Sequence, residues 1–159
     1  MAERFSTGFV DALNTVGCVK DIMANFIIRG FDGTQPVDSD TTEGTANLLI
    51  EWTLDAGAFT SGVATNGLNF DVSTGGVLAK ASGEIIRGIG KAAAGAGGTK
   101  CTWYRAYANT VVTGNSTTAI RFDGSVGTSS TNELQMTNDT IVYNASSTIN
   151  DFNLTLRKS

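Results

Sequence analysis

From Phe31 onward the apolar residues of this chain mostly recur at every second position, in short runs separated by Gly, Asn, Asp, Ser and Thr. A period of two puts alternate side chains on opposite faces of an extended strand, which commits most of the chain to β-sheet. Leu48, Ile50, Trp52 and Leu54, alternating with Leu49, Glu51, Thr53 and Asp55, show the pattern most clearly and assign Trp52 to the core. Similar runs lie at 26–31, 68–72, 77–80, 84–89, 100–108, 119–126, 133–137, 140–143 and 149–156. In the last run Phe152, Leu154 and Leu156 face one way and Asp151, Asn153 and Thr155 the other, as in an antiparallel strand wetted on one side. With no helical segment expected between strands, about nine or ten of them at this spacing predict an all-β, two-sheet antiparallel sandwich of jelly-roll type, with a partly open barrel second.

Residues 1–26 differ in kind. Phe5, Phe9, Ala12, Leu13 and Val16 fall at helical spacings, with Ser6 or Thr7 placed to cap the start. Gly17 interrupts, and Val19, Ile22, Met23 and Phe26 continue an apolar face, so two short helices or one bent helix are expected over one face or end of the sandwich. The 159 residues suit a single domain, 1–159, made of this helical segment and a sandwich over 27–159.

The chain contains no histidine, which removes Ser-His-Asp and Cys-His arrangements and any histidine-ligated metal. Cys18 and Cys101 belong to no paired motif and are expected to be buried free thiols. Eleven basic against fifteen acidic side chains give a net charge of −4, with no cationic cluster, so nucleic acid is not an expected partner. No run of 18 apolar residues and no signal-type N-terminus is present, so neither membrane insertion nor secretion is expected. Four Asn-x-Ser/Thr triplets, at Asn115, Asn138, Asn144 and Asn153, are then by-products of a turn-rich composition.

Three patterns call for chemistry and are each outweighed by a plainer reading. Gly88-Ile89-Gly90-Lys91-Ala92-Ala93 fits a loose dinucleotide fingerprint, but the strand around Trp103 follows where a helix is required, so no cofactor is expected and 92–98 reads as a loop. Asp38, Asp40 and Glu43 lack calcium-loop spacing and read as a solvated acidic loop. Glu51, Asp55, Glu84 and Asp123 are the carboxylates from which a glycosidase pair would be drawn, although isolated carboxylates on a wet strand face are commoner, and no enzyme is expected. Trp103 and Tyr104 have opposite parity, which predicts one of them outside as a contact or sugar-stacking group.

Several stretches carry a resemblance that spans almost the whole chain. They are Glu3-Arg4-Phe5-Ser6-Thr7-Gly8 with Ala12-Leu13-Asn14, Gly33-Thr34-Gln35-Pro36, Gly75-Gly76-Val77-Leu78, Trp103-Tyr104-Arg105-Ala106-Tyr107, Ile120-Arg121-Phe122-Asp123-Gly124 and Ile149-Asn150-Asp151-Phe152. The chain resembles small virion proteins of tailed bacteriophages, of the capsid decoration or cement type. That resemblance implies a jelly roll made in the host cytoplasm and bound to the outside of the head shell. It further implies the major capsid protein as partner, self-association as a dimer or trimer, and a structural role. Ile85-Ile86-Arg87 departs from it where a tryptophan is expected near the second position after Glu84. Arg4, Phe5 and Phe9 are the expected partner contacts, since an N-terminal segment can leave its own fold to dock on a neighbour. A tail or head-to-tail connector protein and a carbohydrate-binding jelly roll are the alternatives.

Overall fold

The computed structural model describes residues 3–155. Leu156, the last apolar position expected in the C-terminal strand, lies outside them, as do both ends of the expected domain. The protein is mostly β, built on one large sheet. Its spine is β2 (Ile27–Phe31), flanked by β3 (Leu48–Leu54) and β7 (Trp103–Tyr107). Outward from β3 lie β5 (Ile86–Gly90) and β11 (Ser146–Ile149), and outward from β7 lies β8 (Arg121–Gly127), whose far edge is shared by β1 (Arg4–Phe5) and β9 (Leu134–Gln135). All these pairings are antiparallel except that of β8 with β9. Two small two-stranded sheets pair β4 (Val77–Ala79) with β12 (Asn153–Thr155), and β6 (Thr99–Lys100) with β10 (Thr140–Ile141).

The register brings Phe5, Phe122, Ala106, Ile28, Trp52 and Gly88 into one row across the inner face. A second row runs Gly124, Tyr104, Gly30, Ile50, Gly90. The glycines in it are required by the rings beside them. A Cβ at Gly30 would lie 2.6 Å from the Trp52 ring, and one at Gly124 would lie 2.5 Å from the Tyr104 ring.

Against this face lie α1 (Thr7–Thr15), α2 (Val19–Ile22), the β4/β12 pair and the segment 68–70, joined to it in one apolar cluster. Phe9 packs on Phe5 and Phe122, and Phe152 on Phe122, Tyr104, Phe26 and Phe70. The layer facing the large sheet is thus part helix and part hairpin, and narrower than the full second sheet expected of a sandwich. Ser6 caps α1 by accepting from the Phe9 N–H at 3.1 Å. Gly17 falls in the break between the two helices.

Several expectations need correction. Phe5 sits on β1 instead of the helix, and Val16, expected on the apolar face, is 73% exposed beyond the last turn. The run 68–72 forms only isolated bridges, Phe26 with Leu68 and Phe70 with Lys80. The run 149–156 is two strands, because Ile149 ends an edge of the large sheet while Asn153 begins a pairing in the opposing layer, and 150–152 carry the chain across. The run 100–108 divides in the same way at Cys101 and Thr102. One turn of 3₁₀-helix, Ala92–Ala94, does stand between strands β5 and β6. Of the thiols, Cys101 is buried and Cys18 is exposed.

Candidate functional site

The outer face of the same sheet is covered in its β8–β7–β2 half by the loop that joins β2 to β3. Outward positions here do not follow the expected rule of a wetted face. Trp103, Arg105 and Tyr107 share one parity on β7, and all three are buried. The Trp103 ring stacks on Phe31 at 4.4 Å and its indole N–H donates to the Asp32 carbonyl at 2.9 Å. Pairing aligns Arg4, Asp123, Arg105, Arg29 and Glu51 in one row across five strands.

Arg105 and Arg29 are direct cross-strand neighbours, a repulsive placement that carboxylates on both sides offset. Arg29 Nε donates to Glu51 at 2.8 Å. Arg105 donates through Nε and Nη2 to the two oxygens of Asp123 at 2.6 and 2.7 Å, with both side chains fully buried. Its remaining Nη1 reaches up into the loop, to the Thr41 carbonyl at 2.9 Å and Glu43 at 3.1 Å. Glu43 also accepts the Tyr107 hydroxyl proton.

Arg121 is buried with no carboxylate of its own and donates entirely to backbone carbonyls. These are Ser39 (2.5 Å), Asp40 (3.0 Å) and Thr41 (3.3 Å) in the loop, and Val112 (2.7 Å) and Gly114 (2.7 Å) in the β7–β8 connection. The two connections are further tied by Ser116 N–H to the Asp40 carbonyl and by Thr42 N–H to Asn115, both at 2.8 Å. Residues 58–63 join the cluster through Gly62 N–H to Asn109 (2.9 Å) and Val111 N–H to Ser61 (2.8 Å). Loops with few apolar residues cannot hold themselves down by burial, and here fixed guanidinium forks supply the anchorage.

Titration follows from this geometry. Burial pushes the Asp123 carboxyl up, against the pull of Arg105. Burial likewise raises Glu43, but the Tyr107 hydroxyl, its own backbone N–H and Arg105 outweigh that, leaving it below its ordinary value. Burial would lower Arg105, yet the bonds and charge of Asp123 and Glu43 hold it above its ordinary range. Arg121, desolvated and beside Arg105, moves down.

The sequence-derived candidates fall into place around this network. Phe9 is fully buried and Phe5 partly buried, both in the chain's own core. Arg4 lies on β1, its guanidinium donating to the Pro36 carbonyl and its own carbonyl accepting from Ser39. Contact of Phe5 or Phe9 with a partner therefore requires α1 to lift off. Tyr104 and Trp103 are both buried, where one was expected outside, because the loop roofs the outer face.

The four carboxylates do not converge. Glu51 pairs with Arg29, Asp55 with Arg87 at 2.5 Å, Glu84 accepts from Asn69 N–H and Nδ2 at 2.9 Å, and Asp123 holds Arg105. Glu51 and Asp123 stand three strand spacings apart, about 14 Å, beyond the separations of roughly 5–9.5 Å at which glycosidases work.

Nor do the three acidic loop residues gather. Asp38 accepts from Asp40 and Thr41 N–H within its own turn, Asp40 accepts from the Thr7 N–H and hydroxyl at the start of α1, and Glu43 faces Arg105. Among the described residues no group of three or more carboxylates and thiols is placed to hold a metal ion. Gly88 and Gly90 lie within β5, packed against the Glu51 and Val142 backbone, so the fingerprint spacing here serves strand packing. Among the described residues no helix is long and apolar enough to cross a membrane.

Sequence reasoning missed Arg105 and Arg121. The one available signal was parity: aromatic residues on both sides of Arg105 at the same face argue that the face is dry. No family model, curated protein or solved structure matches this chain.

Proposed function

We propose that this protein is a structural virion component of the decoration or cement type, bound in many copies to the outside of a phage head shell. The resemblance along almost the whole sequence motivates this reading. The observation that carries it is the pair of buried guanidiniums that fixes the loops at 36–43 and 112–114. A surface whose loops are ordered before binding loses little conformational entropy when it seats on a partner. Such a surface suits repeated, geometrically identical contacts on a regular lattice.

In this reading the major capsid protein is the partner, and binding only the mature lattice stabilises it by mass action. Self-association as a dimer or trimer raises the effective concentration of each contact. The finer description of the fold as a jelly roll belongs to the same proposal, with α1, α2 and the β4/β12 hairpin standing in for a full second sheet. No catalytic step is assigned.

A density map of the particle that carries the chain tests the proposal. Density for this fold over joints between shell subunits is the expected result, and density in the tail or connector would replace it with a different virion role. Absence of the chain from purified virions would refute it. So would expanded shells lacking the chain that resist heat and shear as well as complete ones.

A further inference from the structure

The three connections tied together by Arg121, Asn109 and Ser61 each end in an exposed valine. Val37 is 83% exposed, Val63 49% and Val112 36%. Val37 lies two residues before Ser39, whose carbonyl shares the Arg121 guanidinium with that of Val112. Val63 follows Gly62, which bonds to Asn109 three residues before Val112. The three tips therefore belong to one hydrogen-bonded surface. Beside Val112 a shallow groove runs between α2 and the β7–β8 connection, lined on its apolar side by Ile22, Ala24, Ala108, Ala119 and Ile120.

The chemistry of this surface is selective. The segments 36–47, 58–66 and 109–118 contain no lysine or arginine, so they offer nothing to a phosphate backbone or an anionic lipid. Their acidic groups, Asp38, Asp40 and Glu43, already accept hydrogen bonds within the protein. With Trp103 and Tyr104 buried, no aromatic platform from that strand is presented to a sugar. What remains is a rigid array of aliphatic tips and hydroxyls next to an apolar groove, complementary to a neutral protein surface that bears an apolar projection. Two buried guanidiniums carry a desolvation cost that an apolar anchor would avoid, and rigid loop shape is what they provide in return.

We infer that this loop cluster, with Val37, Val63 and Val112 at its tips, is the face that seats on the shell subunits, and that α1 stays packed on its own sheet. The inference rests on the decoration reading and gives it a contact surface different from Arg4, Phe5 and Phe9.

The test is co-sedimentation of the purified full chain with expanded shells from the same particle stripped of it. Wild type is compared with the triple variant Val37→Asp/Val63→Asp/Val112→Asp and with Val16→Asp/Val72→Asp, which alters exposed valines outside the cluster. The triple variant is expected to bind at least about tenfold more weakly, roughly 1.4 kcal/mol, with unchanged circular dichroism, and the second variant to bind as wild type. Equal binding by the triple variant, or loss confined to Val16→Asp/Val72→Asp, overturns the inference and leaves the decoration reading standing. Failure of wild type itself to sediment with shells overturns both. Hydrogen exchange on the wild-type complex needs no variant: new protection at 37–42, 62–64 and 110–115 supports the inference, and protection confined to residues 4–22 overturns it.

Discussion

The inner face of the large sheet is closed by Phe122, Ala106, Ile28 and Trp52 against helices and a hairpin, while much of the outer face is closed by a loop resting on Asp123, Arg105, Tyr107 and Arg121. Both are dry, by opposite means. On the inner face stability scales with apolar area, about 1.5–3 kcal/mol for each large side chain buried, and similar shapes can be exchanged at modest cost. On the outer face the gain depends on completing a set of charges and donors, and each missing member leaves another stranded. The first arrangement makes the chain compact. The second makes one loop surface rigid, which is what the proposed docking face needs.

The largest expected effect separates the two mechanisms directly. Arg105→Met leaves Asp123 fully buried without its bidentate partner and is expected to cost about 3–5 kcal/mol. Phe122→Ala, which opens a cavity beneath Phe5, Phe9 and Phe152, should cost a similar amount, about 3–5 kcal/mol. The difference lies in rescue: Arg105→Met/Asp123→Leu, which removes the stranded charge, should recover most of the urea midpoint at an unchanged m-value. A double variant no more stable than Arg105→Met would mean that the outer face does not depend on charge pairing.

A smaller effect sharpens the same contrast. Arg121→Met strands no buried charge, because its partners are carbonyls that can turn to water as the loops lift. It is expected to cost about 1–3 kcal/mol. Hydrogen exchange should accelerate at 39–43 and 112–116 while β7 and β8 keep the protection set by global unfolding. Acceleration throughout β7 and β8 would show loop and sheet opening as one unit. Smaller again is Ser6→Ala, expected to cost about 0.5–2 kcal/mol as an N-cap. Ser6 Oγ also donates to the Ala119 carbonyl and accepts the Arg121 N–H, so the cost should fall in the upper part of that range and is read from thermal unfolding.

The inner face was legible in the sequence and the outer face was not, for a physical reason. Apolar alternation reports a core directly, so Trp52, Phe152 and Leu154 were placed correctly, and the Ser6 cap and the break at Gly17 are local signals that a single helix carries. Arg105 and Asp123 occupy outward positions, where charge ordinarily means water. Their burial is decided by residues 32–47, and that loop returns over the strands for reasons no short window contains. The same non-local cover buried Trp103 together with Tyr104. Strand ends at 101–102 and 150–152 escaped notice because residues on both sides keep the alternation while the chain changes sheet. Of the candidate site residues, Arg4, Phe5 and Phe9 were chosen by segment type, and their packing on β8 and the core is likewise a long-range outcome.

Acid offers the finest probe of the outer face. Glu43 is held below its ordinary value, so the unfolded chain takes up this proton at a higher pH than the folded one. The stability it contributes is present above the ordinary glutamate value and is lost as pH falls through that value and below it. Asp123, shifted upward by burial, has the opposite sign: its contribution is full below the ordinary aspartate value and lost as pH rises through the folded one. The acid profile of wild type is then a composite, and Glu43→Gln isolates one part of it. At neutral pH the variant lacks the charge that faces Arg105 and should be less stable than wild type. Between about pH 5 and pH 3 the gap should close, since wild type loses the same charge by protonation. Urea midpoints of the two proteins at matched ionic strength measure this. A gap that stays constant down to pH 3 would assign the role of Glu43 to the shape of its side chain and its Tyr107 hydrogen bond, leaving the charge without effect.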